Sequence, residues 1–329
     1  MSQPDPAAAA QLRVRAGLTP AETAAVSDLL GRAEQADGAG PLNEQAWLNL
    51  RSDSERVRHV LGYDDDDLIA YGQLDMGQPA AQGQPAAEVT AECVVDPGQR
   101  RRGLGTALVA RLLAEAANAP LLLWSHGGHP AAPELASRLG FERVREQWQL
   151  RRRLGPDAEA LPEVRLPVGI VVRTFVVGQD EPAWRCVNAR AFAQHPEQGG
   201  ITADDLAQRI DSSWFDPAGF FLAERSEDGD DRLVGFHWTK VKAADDGPVG
   251  EVYVVGVDPD EQGSGLGSAL TAIGLRHLAD RGVNAVLLYV EADNAAALRV
   301  YERLGFAHVG TDTQYRHPGA SSDTHPRPR

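Results

Sequence analysis

The chain has 329 residues and carries 47 acidic against 32 basic side chains, a formal charge of −15. At roughly 100 to 200 residues per domain this length fits two domains better than one. The acidity argues against a protein whose work is to coat nucleic acid or an anionic membrane, since both need clustered Lys and Arg.

The N-terminus, Met1-Ser2-Gln3-Pro4-Asp5-Pro6, has an acid and two prolines where a secretory signal would have positive charge and an apolar stretch. No apolar run approaches the roughly 18 residues of a membrane span, so a soluble, cytoplasmic protein is expected, a monomer without nucleic-acid or membrane partners. The acidic run Asp64 to Asp67 reads as a solvated loop. Val94-Val95 begins a strand, Leu104, Leu108 and Leu112 mark the apolar face of a helix, and Leu121-Leu122-Leu123-Trp124 is a second buried strand. Residues 126–133 read as loop. His126 and His129 are three apart with no third ligand nearby, which favours a surface loop over a metal site. From Arg151 to Pro167 the chain is charged and proline-containing without periodicity, as a linker would be.

In the second half, Glu251 to Val257 reads as a central strand ended by Asp258-Pro259. Leu266, Leu270 and Ile273 define a helix from Gly265 to about Asp280. Val286 to Val290 is the next strand, and Ala295 to Leu304 a short helix stopped by Gly305. Pro318 to Arg329 has the composition of a disordered tail. The two cysteines, Cys93 and Cys186, lack metal or disulfide spacing and read as buried small hydrophobes.

The chain repeats itself. CVVDPGQRRRGLGTAL (93–108) recurs 162 residues later as VGVDPDEQGSGLGSAL (255–270), with eight of sixteen positions identical. A second block, LASRLGFERV (135–144), matches VYERLGFAHV (300–309). Two ordered blocks at similar spacing indicate a duplicated domain. The expected division is an N-terminal domain over 1–153, a linker over 154–168, a C-terminal domain over 169–316 and a tail over 317–329.

Each repeat places a glycine turn between a strand and a helix, where free backbone N–H groups and the helix dipole converge and an anion is favoured. Such a turn can also be only a tight turn, so spacing has to decide. A P-loop needs a Lys after the second glycine, and neither copy has one. Gly263-Ser264-Gly265-Leu266-Gly267 is followed by Ser268 where a dinucleotide fingerprint needs its third glycine. Gln262-x-x-Gly265-x-Gly267 and Arg100-x-x-Gly103-x-Gly105 instead resemble the pyrophosphate loop of the GNAT superfamily of N-acetyltransferases, Gln/Arg-x-x-Gly-x-Gly/Ala. Asn294, Tyr301 and Gly305-Phe306 resemble a further element of that family.

The resemblance implies a mixed α/β fold of two tandem GNAT domains, each a central twisted, mostly antiparallel sheet flanked by helices, and acetyl-CoA as acetyl donor with no metal. The implied acetyl-CoA residues in the C-terminal copy are Val255, Gly256 and Val257, then Gln262, Gly263, Ser264, Gly265, Leu266, Gly267 and Ser268, and finally Asn294, Ala295, Ala296, Ala297, Leu298 and Arg299. In the N-terminal copy they are Cys93, Val94, Val95, Arg101, Arg102, Gly103, Leu104, Gly105 and Thr106.

Acetyl transfer to an amine needs a base for the ammonium proton and an acid for the departing thiolate. Tyr301 fits the acid, its reference pKa of about 10 keeping it protonated, although a helix Tyr alone is more often packing. Glu251, at a strand start, fits the base; its plain alternative is an exposed strand-end acid. Aligning the second blocks puts Ala136 against Tyr301, and Glu251 faces Val89, or Glu88 after a one-residue shift. The N-terminal copy therefore lacks a catalytic set and is expected to hold ligand or structure.

Phe192 to Gly199, Gly235 to Lys240, Gly250 to Pro259 and Leu288 to Asn294 resemble the mycothiol synthase family of actinobacteria. That resemblance implies transfer of acetyl to the cysteinyl amine of a cysteinyl-glucosaminyl-inositol, a small-molecule amine, with Glu44, Glu197, Lys240, Glu251 and Tyr289 at substrate positions. Two other readings stay open: a GNAT enzyme for another amine, such as an aminoglycoside or a protein N-terminus, and an acetyl-CoA-binding sensor without turnover.

Overall fold

The computed structural model describes residues 11–52, 54–77, 89–117, 119–193, 195, 198–227, 230–243 and 247–319. They fall into two compact units, one made of the chain up to Gln147 with the segment from Gly310 onward, the other of Trp148–Val309. Among the described residues no helix is long and apolar enough to cross a membrane.

The N-terminal unit begins with strand β1 (Gln11–Arg15) and helix α1 (Pro20–Asp37), whose Thr19–Glu22 capping box satisfies the first turn. Helix α2 (Glu44–Asn49), capped by Asn43, precedes the antiparallel strands β2 (Val57–Asp64), β3 (Asp67–Asp75) and β4 (Val89–Val95). The run Asp64 to Asp67 is the tip of the β2–β3 hairpin, with Asp65 at φ 52. Helix α3 (Leu104–Glu115), strand β5 (Leu121–Ser125), helix α4 (Ala132–Arg138) and strand β6 (Glu142–Arg153) follow. Val26, Leu29 and Leu30 of α1 cover one face of the sheet, and Leu108, Val109 and Leu112 of α3 cover the other, because strand side chains alternate between faces.

The C-terminal unit repeats this plan. It contains β7 (Ile170–Thr174), α5 (Glu181–Ala191), α6 (Ala203–Ile210), β8 (Phe220–Glu227), β9 (Asp230–Lys242), β10 (Val249–Val257), α7 (Leu266–Asp280), β11 (Ala285–Glu291) and α8 (Ala295–Arg303), and the chain then enters β12 (Ala307–His317), most of which belongs to the N-terminal unit. Strands β7 to β10 pair antiparallel in succession, and β10 runs parallel to β11. An aromatic cluster around Trp184, Phe220, Phe236 and Trp238 fills the face under α5, while Leu275, Leu278 and Tyr301 fill the other.

The division is not the linear one expected. Tyr315 of β12 is buried in the core of the N-terminal unit, where Thr313–His317 pair antiparallel with Leu121–Ser125 of β5. Leu150 and Leu154, at the end of β6 and just after it, are buried in the core of the C-terminal unit. Burial of these apolar side chains, which a charge-based linker reading does not weigh, sets the boundary. The expected linker packs on the C-terminal unit: the Leu154 amide donates to the Asn284 carbonyl at 2.8 Å, and Arg276 donates to the Pro162 carbonyl at 2.8 Å. Of the expected tail, residues beyond 319 lie outside the described residues.

Candidate active site

In both units the parallel strand pair is cut short. β10 meets β11 only over Val249–Glu251, and β4 meets β5 only over Val89–Ala91. Among the described residues, the β10–β11 ladder does not continue past Glu251, while the other edge of β10 still pairs with β9, Val255 opposite His237 and Val257 opposite Gly235. An unpaired strand edge offers alternating N–H and C=O groups to an extended ligand arm. The β9–β10 register shifts between Val252 and Val254, a bulge that turns this edge. Gly256 is demanded by packing, since a Cβ there would lie 2.7 Å from the Phe236 ring and 3.1 Å from Phe192.

The turn after β10 is left open for a ligand. Gly263 and Gly265 have φ of 80° and 89°, and nothing lies within 4 Å of where their Cβ atoms would be. Helix α7 starts at Gly265 without a side-chain cap, in contrast to α1, α2, α6 and α8. Its first-turn amides and the helix dipole therefore face an anion's position. The loop is braced from behind: Arg190 of α5 holds Asp258 at 2.7 and 2.9 Å, and Arg225 holds Glu261 at 2.6 Å. These guanidiniums keep both carboxyls below their usual range. The Leu266 amide donates to Ser264 Oγ at 3.3 Å, and a loop braced in this way spends little entropy on ordering when a phosphate arrives at the remaining first-turn amides.

Glu251 lies just before the bulge, buried, with Lys242 Nζ 2.7 Å from its Oε2. Its cross-strand neighbour is Lys240, buried, whose Nζ sits 4.1 Å from the ring centroid of Trp214 and 5.2 Å from that of Tyr253. Two aromatic faces stabilise such an ammonium, and Arg209 Nε in turn donates to the Tyr253 hydroxyl at 2.8 Å. Tyr301 on α8 is buried against Phe306, ring centroids 5.8 Å apart, and desolvation pushes its hydroxyl up to about 12. Asn294 caps α8 by accepting from the Ala297 amide at 3.0 Å. Tyr289 on β11 is 40% exposed.

The N-terminal unit carries the same turn with a different finish. Helix α3 starts at Gly103, φ 81, again without a side-chain cap, but where the other copy has Gly263 this one has Arg101 at φ 63. A cavity of about 570 Å³ opens between β4, β5 and α4. Cys93, Val94 and Val95 line it, as do Arg101, Gly103, Leu104, Gly105 and Thr106; Arg102 does not. Ala136 stands on its wall in the place of Tyr301.

A match to the acetyltransferase (GNAT) family covers residues 24–141 and again 187–306. The chain is 53% identical over 304 residues to a mycothiol acetyltransferase of Streptomyces coelicolor, covering 92% of this chain and 93% of that one. It is 48% identical over 309 residues to one of Thermobispora bispora, covering 93% and 99%. The chain belongs to the GNAT family, among the mycothiol acetyltransferases. The fold also matches a tandem GNAT protein from the clavulanic acid biosynthesis pathway, TM-score 0.70 at 18% identity over 95% of this chain and all of that one. A GCN5-related N-acetyltransferase of Sphaerobacter thermophilus matches with TM-score 0.66 at 24% identity, covering 96% of each chain.

For a GNAT acetyltransferase, the geometry gathers Val255, Gly256 and Val257 with the turn from Gln262 to Ser268, and sets Glu251 beside Lys240. Glu44 opens α2 in the N-terminal unit, half-buried. Glu197 and Glu88 lie outside the described residues. Two sequence readings need correction. Cys186 is exposed on α5, since it falls off the helix face that buries Trp184 and Val187. The stretch after β5 is at the surface, with Gly127, Gly128 and Pro130 exposed, but the His126 side chain turns inward, with Nε2 2.8 Å from Glu92 and Nδ1 3.2 Å from Asp312. Burial works against a charged imidazole, yet the two carboxylates outweigh it and raise the ring to about 10. The loop composition around His126 hid this, and Asp312 is 186 residues away in sequence. Lys242, Trp214 and Tyr253 join the site only in the folded chain; the alternation of Lys240 and Lys242 on one strand, which puts both on one face beside Glu251, is the sequence signal for the lysines.

Proposed function

We propose that the chain transfers acetyl from acetyl-CoA to the cysteinyl amine of cysteinyl-glucosaminyl-inositol, giving mycothiol and CoA, with the C-terminal unit as the catalytic one. The observation that carries this reading is likeness to mycothiol acetyltransferases across nearly the whole of both chains. The bare glycine turn and the unpaired β10 edge fit a donor with a pyrophosphate and an extended arm. Acetyl-CoA supplies an activated thioester; the chain's residues position it and handle protons.

In this reading, amides at the start of α7 hold the phosphates, and Val255 to Val257 hold the arm. Glu251 takes the proton of the acceptor ammonium, directly or through water. An α-amino group, with a reference pKa near 8, needs only a modest base at neutral pH. Tyr301, kept protonated by burial, gives a proton to the sulfur. Lys240, Glu251 and Tyr289, with Glu197, bind the acceptor. The N-terminal unit, with Ala136 in place of Tyr301, holds acetyl-CoA without turning it over.

The test is CoA release when purified protein is offered acetyl-CoA with the cysteinyl-glucosaminyl-inositol, cysteine, an aminoglycoside or a peptide. Turnover with the first acceptor is expected. Activity confined to the aminoglycoside or peptide overturns the acceptor, and no release with any of them favours a sensor.

A further inference from the structure

We propose that the cavity of the N-terminal unit takes an acyl-CoA whose acyl chain is longer than acetyl, the chain lying in apolar space beside Ala136. This rests on the reading of that unit as a CoA-holding one. The two copies can be compared position by position here. Helices α4 and α8 both lead into a glycine at φ 77 and then a phenylalanine, Gly140-Phe141 and Gly305-Phe306. In the C-terminal copy the Tyr301 ring fills the place between α8 and Phe306 and is 8% exposed. In the N-terminal copy a methyl group stands there instead.

The surroundings did not close over that loss. Val109, Leu123, Leu135, Leu139, Phe141 and Tyr315 all face the cavity of about 570 Å³, together with Ala136. Ala136, Val109, Phe141 and Tyr315 are also members of the buried core, so part of the cavity's lining is core wall, while its charged and titratable residues are Asp37, Arg100 and Arg101 of α1 and the glycine turn, His126 and His129 after β5, and the exposed Glu134 and Arg138 of α4. Arg100 is tied to Asp37 at 2.7 Å through both nitrogens. Apolar hollows in a protein interior stay dry and take apolar ligands. A site open at a phosphate-binding turn and ending in such a hollow has the form of an acyl-CoA site with room beyond the first carbon.

The test is isothermal titration of the full chain with CoA and with acetyl-, butanoyl- and hexanoyl-CoA. Ser268→Glu and Thr106→Glu each place a carboxylate in the first turn of one helix, where it suits the dipole and repels a pyrophosphate, so each reports on the other unit. In Ser268→Glu, affinity should rise about fourfold per added methylene from acetyl to butanoyl-CoA. Ala136→Leu should abolish that rise while CoA still binds, and Leu123→Phe, approaching from β5, should do the same if Ala136→Leu fails to fold. Equal or falling affinity with chain length in Ser268→Glu overturns the proposal and leaves the CoA-holding reading standing. Loss of all CoA binding in Ser268→Glu, with Thr106→Glu binding as the parent does, overturns that reading and the proposal with it.

Discussion

Glu251 on β10 and Lys242 on β9 form an ion pair of 2.7 Å in which the carboxylate is nearly enclosed and the lysine is 51% exposed at its side chain. The lysine can swing into water while the carboxylate cannot, so an incoming ammonium can replace Lys242 without leaving Glu251 unpaired. Glu251→Gln, which keeps the shape and removes the base, should lower kcat by about 10² to 10⁴ with acetyl-CoA affinity within a few-fold of the parent. Lys242→Met, which takes a cation away from a nearly enclosed carboxylate, should cost about 1 to 3 kcal/mol of stability. Steady-state kinetics and thermal unfolding of both variants check this, and unchanged turnover in Glu251→Gln removes the base assignment.

Tyr301→Phe removes one oxygen and little packing. The ring is held by Phe306 and its core neighbours, so unfolding should change by less than about 1 kcal/mol, while kcat falls by about 10² to 10⁴. Because burial raises the hydroxyl to about 12, no loss of activity from its ionisation should show in the parent below about pH 11. A Tyr301→Phe enzyme that turns over normally assigns the proton to another group.

The repeat made most of the fold legible, because Asp-Pro, the glycine turn and Gly-Phe are local signals fixed by backbone geometry. Helix α7 and strand β10 fall within two residues of where periodicity puts them. What stayed hidden depends on partners far along the chain. Nothing local to Leu150 or Tyr315 says which unit's core will bury it. Asp312 and Glu92 meet His126 only after folding, and a lysine pair reads as surface charge until the bulge of β10 places Glu251 opposite it.

His126 should give the N-terminal unit a pH-dependent element of stability. Its imidazole titrates near 10 in the folded chain against 6.5 for an ordinary histidine. The folded state therefore binds the proton more tightly than the unfolded state. The stabilisation is fully present below pH 6.5 and is lost as pH rises from 6.5 towards 10. Thermal unfolding across that range should show a decline in the parent that is much shallower in His126→Gln. Parallel curves for the two proteins would mean that the ring is neutral between Glu92 and Asp312.

The two glycine turns make a matched experiment in backbone strain. Gly263 and Arg101 occupy equivalent positions at φ 80 and 63, in the left-handed region that costs a residue with a Cβ about 1 kcal/mol. No atom lies within 4 Å of a Cβ at Gly263, so a substitution there tests the backbone alone. Gly263→Ala should lower stability by about 1 kcal/mol. Arg101→Gly relieves the strain but adds freedom to the unfolded chain, so it should leave stability level or up to about 1 kcal/mol higher. Denaturant unfolding measures both. A loss of stability in Arg101→Gly would show that the arginine side chain contributes more than its backbone costs.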